Sequence, residues 1–410
     1  MDGANVNDQA LSVREAQTRI LDGVLACDTE TVAIEQALGR VSGGPICAKL
    51  TQPPFDASAM DGYAVRACDV ATLPRKLKVI GQAAAGHQFA GSVGAGEAVR
   101  IFTGGVVPSG ADAIVIQENT LRDGDVVVVL EGTLDRGHIR ARGGDFKSGE
   151  TLIDAGVRLG PSHLTLCAAM GHALVSVRRR PVVAILATGD ELVPPGAEPA
   201  AGQIVASNAV GIAGLLWQAG GEPRLMGIAR DTRDSLSEKI LQAGDADVLV
   251  TIGGASVGDH DLVGPVLSEA GMALDFWKIA MRPGKPLLFG RLGSQRVVGV
   301  PGNPVSSLIC TRVFVVPLVR ALLGLAPAIE FERIYARVAS PLSKNGPREH
   351  YMRAVLSRQG DSGESTVETI ASQDSSLMVP LVRSNCLIVR ESGAKAVSSG
   401  EFVPVLKLDF

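Results

Sequence analysis

The sequence predicts a multidomain α/β plus β protein, and three observations predict it. Four apolar runs between Pro181 and Leu322 each end in a polar, glycine-rich turn, the pattern of a central parallel α/β domain. Before them, from Leu77 to Ile153, short β-like runs alternate with glycine-rich turns. After them, from about Ile334 to Phe410, strand-like alternation returns and marks a second, C-terminal β module.

Along the chain, Ser12-Val-Arg-Glu15 reads as a capping box. Val13, Ala16, Ile20, Leu21, Val24 and Leu25 then recur at helical spacing, which predicts a core-facing helix. The β-rich region follows in runs such as Lys76–Ile80, Ala98–Phe102 and Val126–Leu130, and Gly149 and Gly156 place turns where it returns to the rest of the chain. The α/β runs are Pro181–Ala187, Pro223–Ala229, Asp247–Ile252 and Arg296–Val300. In an open parallel sheet ligands bind outside the carboxyl ends of the strands, so the turns after these runs converge on one crevice. Runs such as Tyr335–Val338 and Cys386–Val389 belong to the last module.

Composition excludes several classes of function. The 410 residues supply material for two to four domains, and 46% hydrophobic content supplies their cores. A net charge of -4, with Arg178-Arg179-Arg180 as the basic block that stands out, argues against nucleic-acid binding. Six cysteines without Cys-x-x-Cys spacing signal neither zinc nor a disulfide framework, and the six histidines are too dispersed to pair on a metal. The first residues lack the apolar core of a signal peptide, and the greasiest run, Val313–Leu323, is interrupted by Pro317 and Arg320. No membrane span is expected, and a cytoplasmic location follows.

Chemistry concentrates at the strand ends. Asp190 and Glu191 follow one run, Asp231 the next, and Asp259 and Asp261 the third. Carboxylates gathered in one crevice repel unless a cation intervenes, and Mg²⁺ takes one or two of them with water and phosphate oxygens. Singly, Asp231 also suits the cap of the helix starting near Thr232, and Glu191 suits a helix's first turn. The turn Gly253-Gly254-Ala-Ser256-Val-Gly258 brings backbone amides to a phosphate without matching the dinucleotide or Walker patterns. In Pro301-Gly-Asn303-Pro304-Val-Ser306, Asn303 suits an N-cap and Pro304 the first helical position. Lys278, Arg282 and Lys285 put three cations within eight residues. Together these features favour a Mg²⁺-dependent phosphate or oxyanion site.

Five segments carry a resemblance: Ser58–Val65, Thr188–Leu192, Gly253–Gly258, Arg282–Pro286 and Pro301–Ser306. In this order, over nearly the whole chain, they resemble the molybdopterin molybdenumtransferase family, to which the C-terminal domain of gephyrin is related. The resemblance implies a central domain of molybdopterin-binding type and a C-terminal β-barrel. It divides the chain into 1–50 with 147–180 as a linking domain, 51–146 as an inserted β-rich domain, 181–328 as the α/β domain and 329–410 as the barrel. It also implies a homodimer whose site is shared between subunits, and a reaction in which adenylylated molybdopterin and molybdate give molybdenum cofactor and AMP with Mg²⁺.

By the same resemblance Glu191, Asp231 and Asp261 hold or orient Mg²⁺ and the phosphoanhydride. Asp61, Thr103, Arg140 and Asp145 come from the partner subunit. Gly253, Gly254, Ser256, Pro301, Asn303 and Pro304 line the substrate turns. Lys278, Arg282 and Lys285 neutralise anions, joined by Arg353 and Ser375 of the C-terminal module. The enzyme that makes adenylylated molybdopterin and apo-molybdoenzymes are implied as transient partners. The chain departs from the family at Arg282, where lysine is frequent, and at Val205 and Ala206, where tyrosine and a polar residue are common.

Two other readings compete. A molybdopterin adenylyltransferase resembles the α/β segment, but Asp61 and both β modules argue against it. A scaffold that kept the fold and lost catalysis would not need Asp61, Glu191, Asp231, Asp261 and the cationic run.

Overall fold

Residues 10–132, 138–254, 261–326, 333–358 and 364–408 are described by the computed structural model. The expected capping box forms: Ser12 Oγ accepts from Glu15 N at 3.2 Å and Glu15 Oε2 accepts from Ser12 N at 2.9 Å. Helix α1 (Val13–Leu21) buries Val13, Ala16, Gln17 and Ile20, as its spacing requires. It ends earlier than the apolar spacing suggests. Asp22 leaves helical geometry, Gly23 takes φ +62°, and Leu25 is exposed.

The chain forms two units, residues 31–177 and residues 178–410 with the segment ending at Glu30. The first is built on a six-stranded sheet. Its strands are β1 (Gly62–Val65), β2 (Arg75–Ala83), β3 (Glu97–Ile101), β4 (Ala113–Ile116), β5 (Thr120–Asp123) and β6 (Val126–Val129), in the order β4-β1-β3-β2-β6-β5. All pairings are antiparallel except β2 with β3. Both faces are covered, one by Tyr63, Val65, Leu77, Val127 and Val129, the other by Ala64, Ala83, Val99 and Ile101. Gly62 is required at its position, because a Cβ there would overlap Val115 O of the neighbouring strand. A separate core of Ala37, Ile46, Phe146, Leu159 and Met170 packs on Cys167 of α2 (Pro161–Ala169).

The second unit contains the α/β sheet. Its strands are β7 (Val182–Thr188), β8 (Glu222–Ala229), β9 (Val248–Ile252), β10 (Ala273–Lys278), β12 (Pro286–Leu292) and β13 (Gln295–Val300), and β11 (Met281–Arg282) pairs elsewhere. The order is β8-β7-β9-β13-β12-β10. The four apolar runs are the four parallel neighbours, so their carboxyl ends align along one edge. The sheet is not wholly parallel: β12 and β10 extend it antiparallel beyond β13. Helices α4 (Arg233–Gln242) and α5 (Val263–Glu269) bury Leu236, Ile240, Val263 and Val266 against Leu186, Leu249 and Val297.

Helix α3 (Asn208–Ala219) packs with α6 (Pro304–Leu322). By length and composition α6 would cross a membrane, but it is almost entirely buried in the core. Pro317 does not break it. The helix widens to a π-turn over Thr311–Val315. The proline lacks the N–H that would reach the Val313 carbonyl, and Gln17 Nε2 of α1 donates to that oxygen instead at 3.0 Å.

The C-terminal module is a closed barrel. Strands β14 (Ile334–Val338), β15 (Glu349–Arg358), β16 (Ser365–Thr369), β17 (Cys386–Arg390) and β18 (Phe402–Lys407) pair in the ring β15-β16-β14-β18-β17 and back to β15. Ala336, Val338, Ala354, Val367, Ile388 and Val405 fill it. The short strand β11 joins outside, pairing Met281 and Arg282 with Glu349 and His350.

Candidate active site

Each parallel strand delivers its turn to the same edge of the sheet. After β7, Gly189 has φ +148°, a conformation that favours glycine, and the Glu191 carboxylate folds back over it. The turns after β7 and β8 are laced together: Asp190 N donates to Asp231 Oδ2 at 3.3 Å and Asp231 N to Asp190 Oδ1 at 3.2 Å. Arg230 Nη1 donates to Asp190 O at 3.0 Å. Helix α4 is capped by Thr232, whose Oγ1 accepts from Ser235 N, so Asp231 is not spent as the cap.

After β9, Gly253 (φ +88°) and Gly254 (φ +62°) turn the chain sharply. Ser256, with Asp259 and His260, lies outside the described residues. Asp261 Oδ1 accepts from Val263 N at 3.2 Å. After β13, Pro301 is buried and Pro304 takes the first position of α6 as expected. Asn303 occupies the N-cap position, but its side chain does not cap the helix. It reaches across to the C-terminal module, where Nδ2 donates to Ser375 Oγ at 3.0 Å, and Val305 N donates to Ser375 O at 3.1 Å.

These turns enclose a pocket of about 390 Å³ whose lining includes Glu191, Val205, Asn208, Gly253, Asn303 and Pro304. Asn208 fixes its floor by donating from Nδ2 to Gly302 O at 2.6 Å. The sequence reading did not single out Asn208; its signal was an asparagine opening a helix beside a glycine turn. Val205 gives the wall an apolar face where the family resemblance would place a tyrosine.

Two expectations change. Arg353 does not offer its charge to an anion: it is 1% exposed, and its guanidinium donates to Leu377 O at 3.0 Å and Asp374 O at 2.9 Å. Its role is to hold the loop that carries Ser375. Glu191, Asp231 and Asp261 do not converge on one point, since among the described residues no group of three or more His, Cys, Asp or Glu is placed to hold a metal. Asp231 is turned to the Asp190 amide and Asp261 to that of Val263. This donor set fits Mg²⁺ bound by one or two carboxylates and completed by water and phosphate, not an all-protein cage. Of the cations, Lys278 stands 3.7 Å from the centre of the Trp277 ring, Arg282 is exposed on β11, and Lys285 is exposed on the turn leading into β12.

In the other unit, Asp61 and Thr103 form a tight pair. Thr103 N and Thr103 Oγ1 both donate to Asp61 Oδ1 at 2.8 Å. The Thr103 amide and then its hydroxyl hold the Asp61 carboxyl below the usual carboxylate range. Arg140 is exposed on a short strand opposite Ala57, and Asp145 is exposed on a turn fixed by its amide to Gln52 O at 3.0 Å.

Comparisons with known proteins agree along the chain. The family described as MoeA N-terminal region (domain I and II) matches residues 11–171, the probable molybdopterin binding domain matches 184–321, and the MoeA C-terminal region (domain IV) matches 335–408. The molybdopterin molybdenumtransferase of a Nostoc species is 37% identical over 93% of this chain and 89% of its own length. The enzyme of that name from Haemophilus influenzae is 34% identical over 96% and 98%. The crystal structure of a molybdopterin biosynthesis MoeA protein from Pyrococcus horikoshii superposes with TM-score 0.84 at 31% identity, covering 97% of this chain and 99% of that one. With three family matches in order and relatives above 30% identity over nearly its full length, the chain belongs to the molybdopterin molybdenumtransferase family.

Proposed function

We propose that this protein inserts molybdenum into molybdopterin, using adenylylated molybdopterin and molybdate and releasing AMP in the presence of Mg²⁺. The observation that carries the reading is the strand-end pocket, where Glu191, Gly253, Asn303 and Pro304 meet beside a loop of the barrel. It combines amides and glycine turns for phosphate with an apolar wall for a ring, and places a carboxylate at its lining.

Glu191, Asp231 and Asp261 supply the carboxylates from which Mg²⁺ would take one or two. When bound, the ion offsets charge on the phosphoanhydride as it opens. The residues of the chain do the rest. Gly253 and the Pro301–Pro304 turn orient the substrate, and Asn208 and Ser375 keep that turn rigid. Lys278, Arg282 and Lys285 offset charge on departing AMP and arriving molybdate. The substrate dithiolene would form two sulfur–molybdenum bonds as one molybdate oxo leaves as water with the two thiol protons, while a water adds to phosphorus and the phosphoanhydride phosphorus–oxygen bond breaks to release AMP and the pterin phosphate. A cysteine nucleophile is not called for: buried Cys310 is raised above its ordinary range by desolvation and stays a thiol.

The site is a shared one in this proposal. Asp61, Thr103, Arg140 and Asp145 enter from the second subunit of a homodimer, and the work takes place in the cytoplasm. The adenylylated substrate comes from its producing enzyme, and the product passes to apo-molybdoenzymes. Purified protein given adenylylated molybdopterin, Mg²⁺ and molybdate is expected to release AMP and yield cofactor that activates an apo-molybdoenzyme. Absence of AMP release with every oxyanion sinks the reading. Consumption of ATP and plain molybdopterin instead would identify an adenylyltransferase. For the shared site, inactive Asp61→Asn and Glu191→Gln chains are expected to regain part of their activity when exchanged into heterodimers.

A further inference from the structure

Asp61 and Thr103 lie at the ends of neighbouring strands, and one side chain touches the chain beside both of them. Arg100 stands on β3 directly opposite Tyr63 of β1 in the antiparallel register. Its guanidinium carbon lies 5.1 Å from the centre of the Tyr63 ring and 4.8 Å from that of Phe102. Nη1 donates to Gly62 O at 3.1 Å, and Nη2 donates to Gln117 Oε1 at 2.5 Å. The Gln117 amide in turn donates to Asp61 O at 3.0 Å. Gly62 follows Asp61, Phe102 precedes Thr103, and Gln117 holds the Asp61 carbonyl. One planar fork therefore fixes three chain segments around a single carboxylate.

We infer that Arg100 is a positioning residue: stacked on Tyr63 and Phe102 and bonded to Gly62 and Gln117, it aligns the two strands so that Thr103 holds Asp61 Oδ1 in one orientation. The inference rests on the proposed function, in which Asp61 faces substrate. A lysine would keep the charge but would lose the fork that spans both acceptors and the flat face that stacks on the rings. The positive charge of Arg100 also favours the ionised Asp61 carboxylate, after the two bonds from Thr103.

The test uses the full-length protein in the AMP-release assay with Arg100→Met, Arg100→Lys, Thr103→Val and Asp61→Asn. Both Arg100 variants are expected to lose roughly 10- to 100-fold in kcat, with KM for adenylylated molybdopterin within about twofold, as small misplacements of a reacting group produce. The acid limb of the kcat profile should move to higher pH in Arg100→Met, because Asp61 loses a cation and well-aligned donors. Adding Arg100→Met to Thr103→Val should cost little more than Thr103→Val alone. A raised KM with unchanged kcat would show that Arg100 grips the substrate anion itself and would overturn the inference. Full rescue by Arg100→Lys, or additive losses with Thr103→Val, would overturn it too. Should Arg100→Met lose its thermal unfolding transition, Arg100→Lys decides by the same kcat criterion. Asp61→Asn separates the two levels: wild-type turnover in that variant removes the role of Asp61 and the inference with it. An inactive Asp61→Asn beside a fully active Arg100→Met removes only the inference.

Discussion

The two units handle their carboxylates in opposite ways. In residues 31–177, Asp61 is clamped by two 2.8 Å bonds to one oxygen, at the edge of a sheet packed on both faces. At the α/β strand ends, Asp190 and Asp231 hold each other's amides at 3.3 and 3.2 Å, and Glu191 is folded over a glycine. The first arrangement is set by the chain alone, whereas the second is weakly held, and in the proposed reaction a ligand would complete it. Preorganised groups contribute most where charge changes during reaction, and pliant ones suit an ion that must also accept water and phosphate.

That contrast can be broken by substitution. Asp61→Asn removes the charge from the preset carboxylate, and AMP release is expected to fall by about 10³-fold, whereas Asp231→Asn should cost nearer 10-fold because other strand-end oxygens remain. Equal losses would erase the distinction. Gly62→Ala attacks the clamp through its scaffold: with Val115 O in the way, urea unfolding should show a loss of about 3 kcal/mol or more. A loss below about 1 kcal/mol would mean that the sheet beside Asp61 yields easily.

Acid should separate the units further. His350 is buried beside Arg282, Arg348, Arg390 and Arg353, and burial first, then those cations, pushes its pKa down to about 4 from 6.5. The unfolded chain takes up a proton that the folded chain refuses. Stability is therefore complete above the unfolded value and falls as pH drops from 6.5 toward 4. The expected loss is about 2 kcal/mol between roughly pH 7 and pH 5, and His350→Gln should flatten it. Smallest is Ser12→Ala, which removes the capping box of α1 and should cost about 1 kcal/mol by thermal unfolding, with Asp61 chemistry unchanged.

Much of the α/β domain was legible because the central parallel strands β7 and β9 are continuous buried runs, and the turn after each reads directly as polar and glycine-rich. The antiparallel extension was not, since residues from Trp277 to Lys285 read as a cationic run. Pro317 read as an interruption of the apolar run because the donor that replaces its missing N–H, Gln17, lies 296 positions from the Val313 carbonyl it reaches. The resemblance implied Arg353 as an anion ligand, and a residue carried over by resemblance brings its charge but not its burial; only the folded loop shows that carbonyls already use its fork. The tie between Asp61 and Thr103, 42 positions apart, and the stacking of Arg100 depend on strand register, which no local pattern states.

The small strand β11 has a mechanical consequence. Its two residues are hydrogen-bonded in register to β15, so the stem of the turn that carries Arg282 and Lys285 is sewn to the barrel by main chain rather than by side chains. Ser375 makes a second stitch, to the turn before α6. The barrel is therefore no detachable appendage: removing it would take the anchorage from the cation-bearing turn and from the pocket rim together.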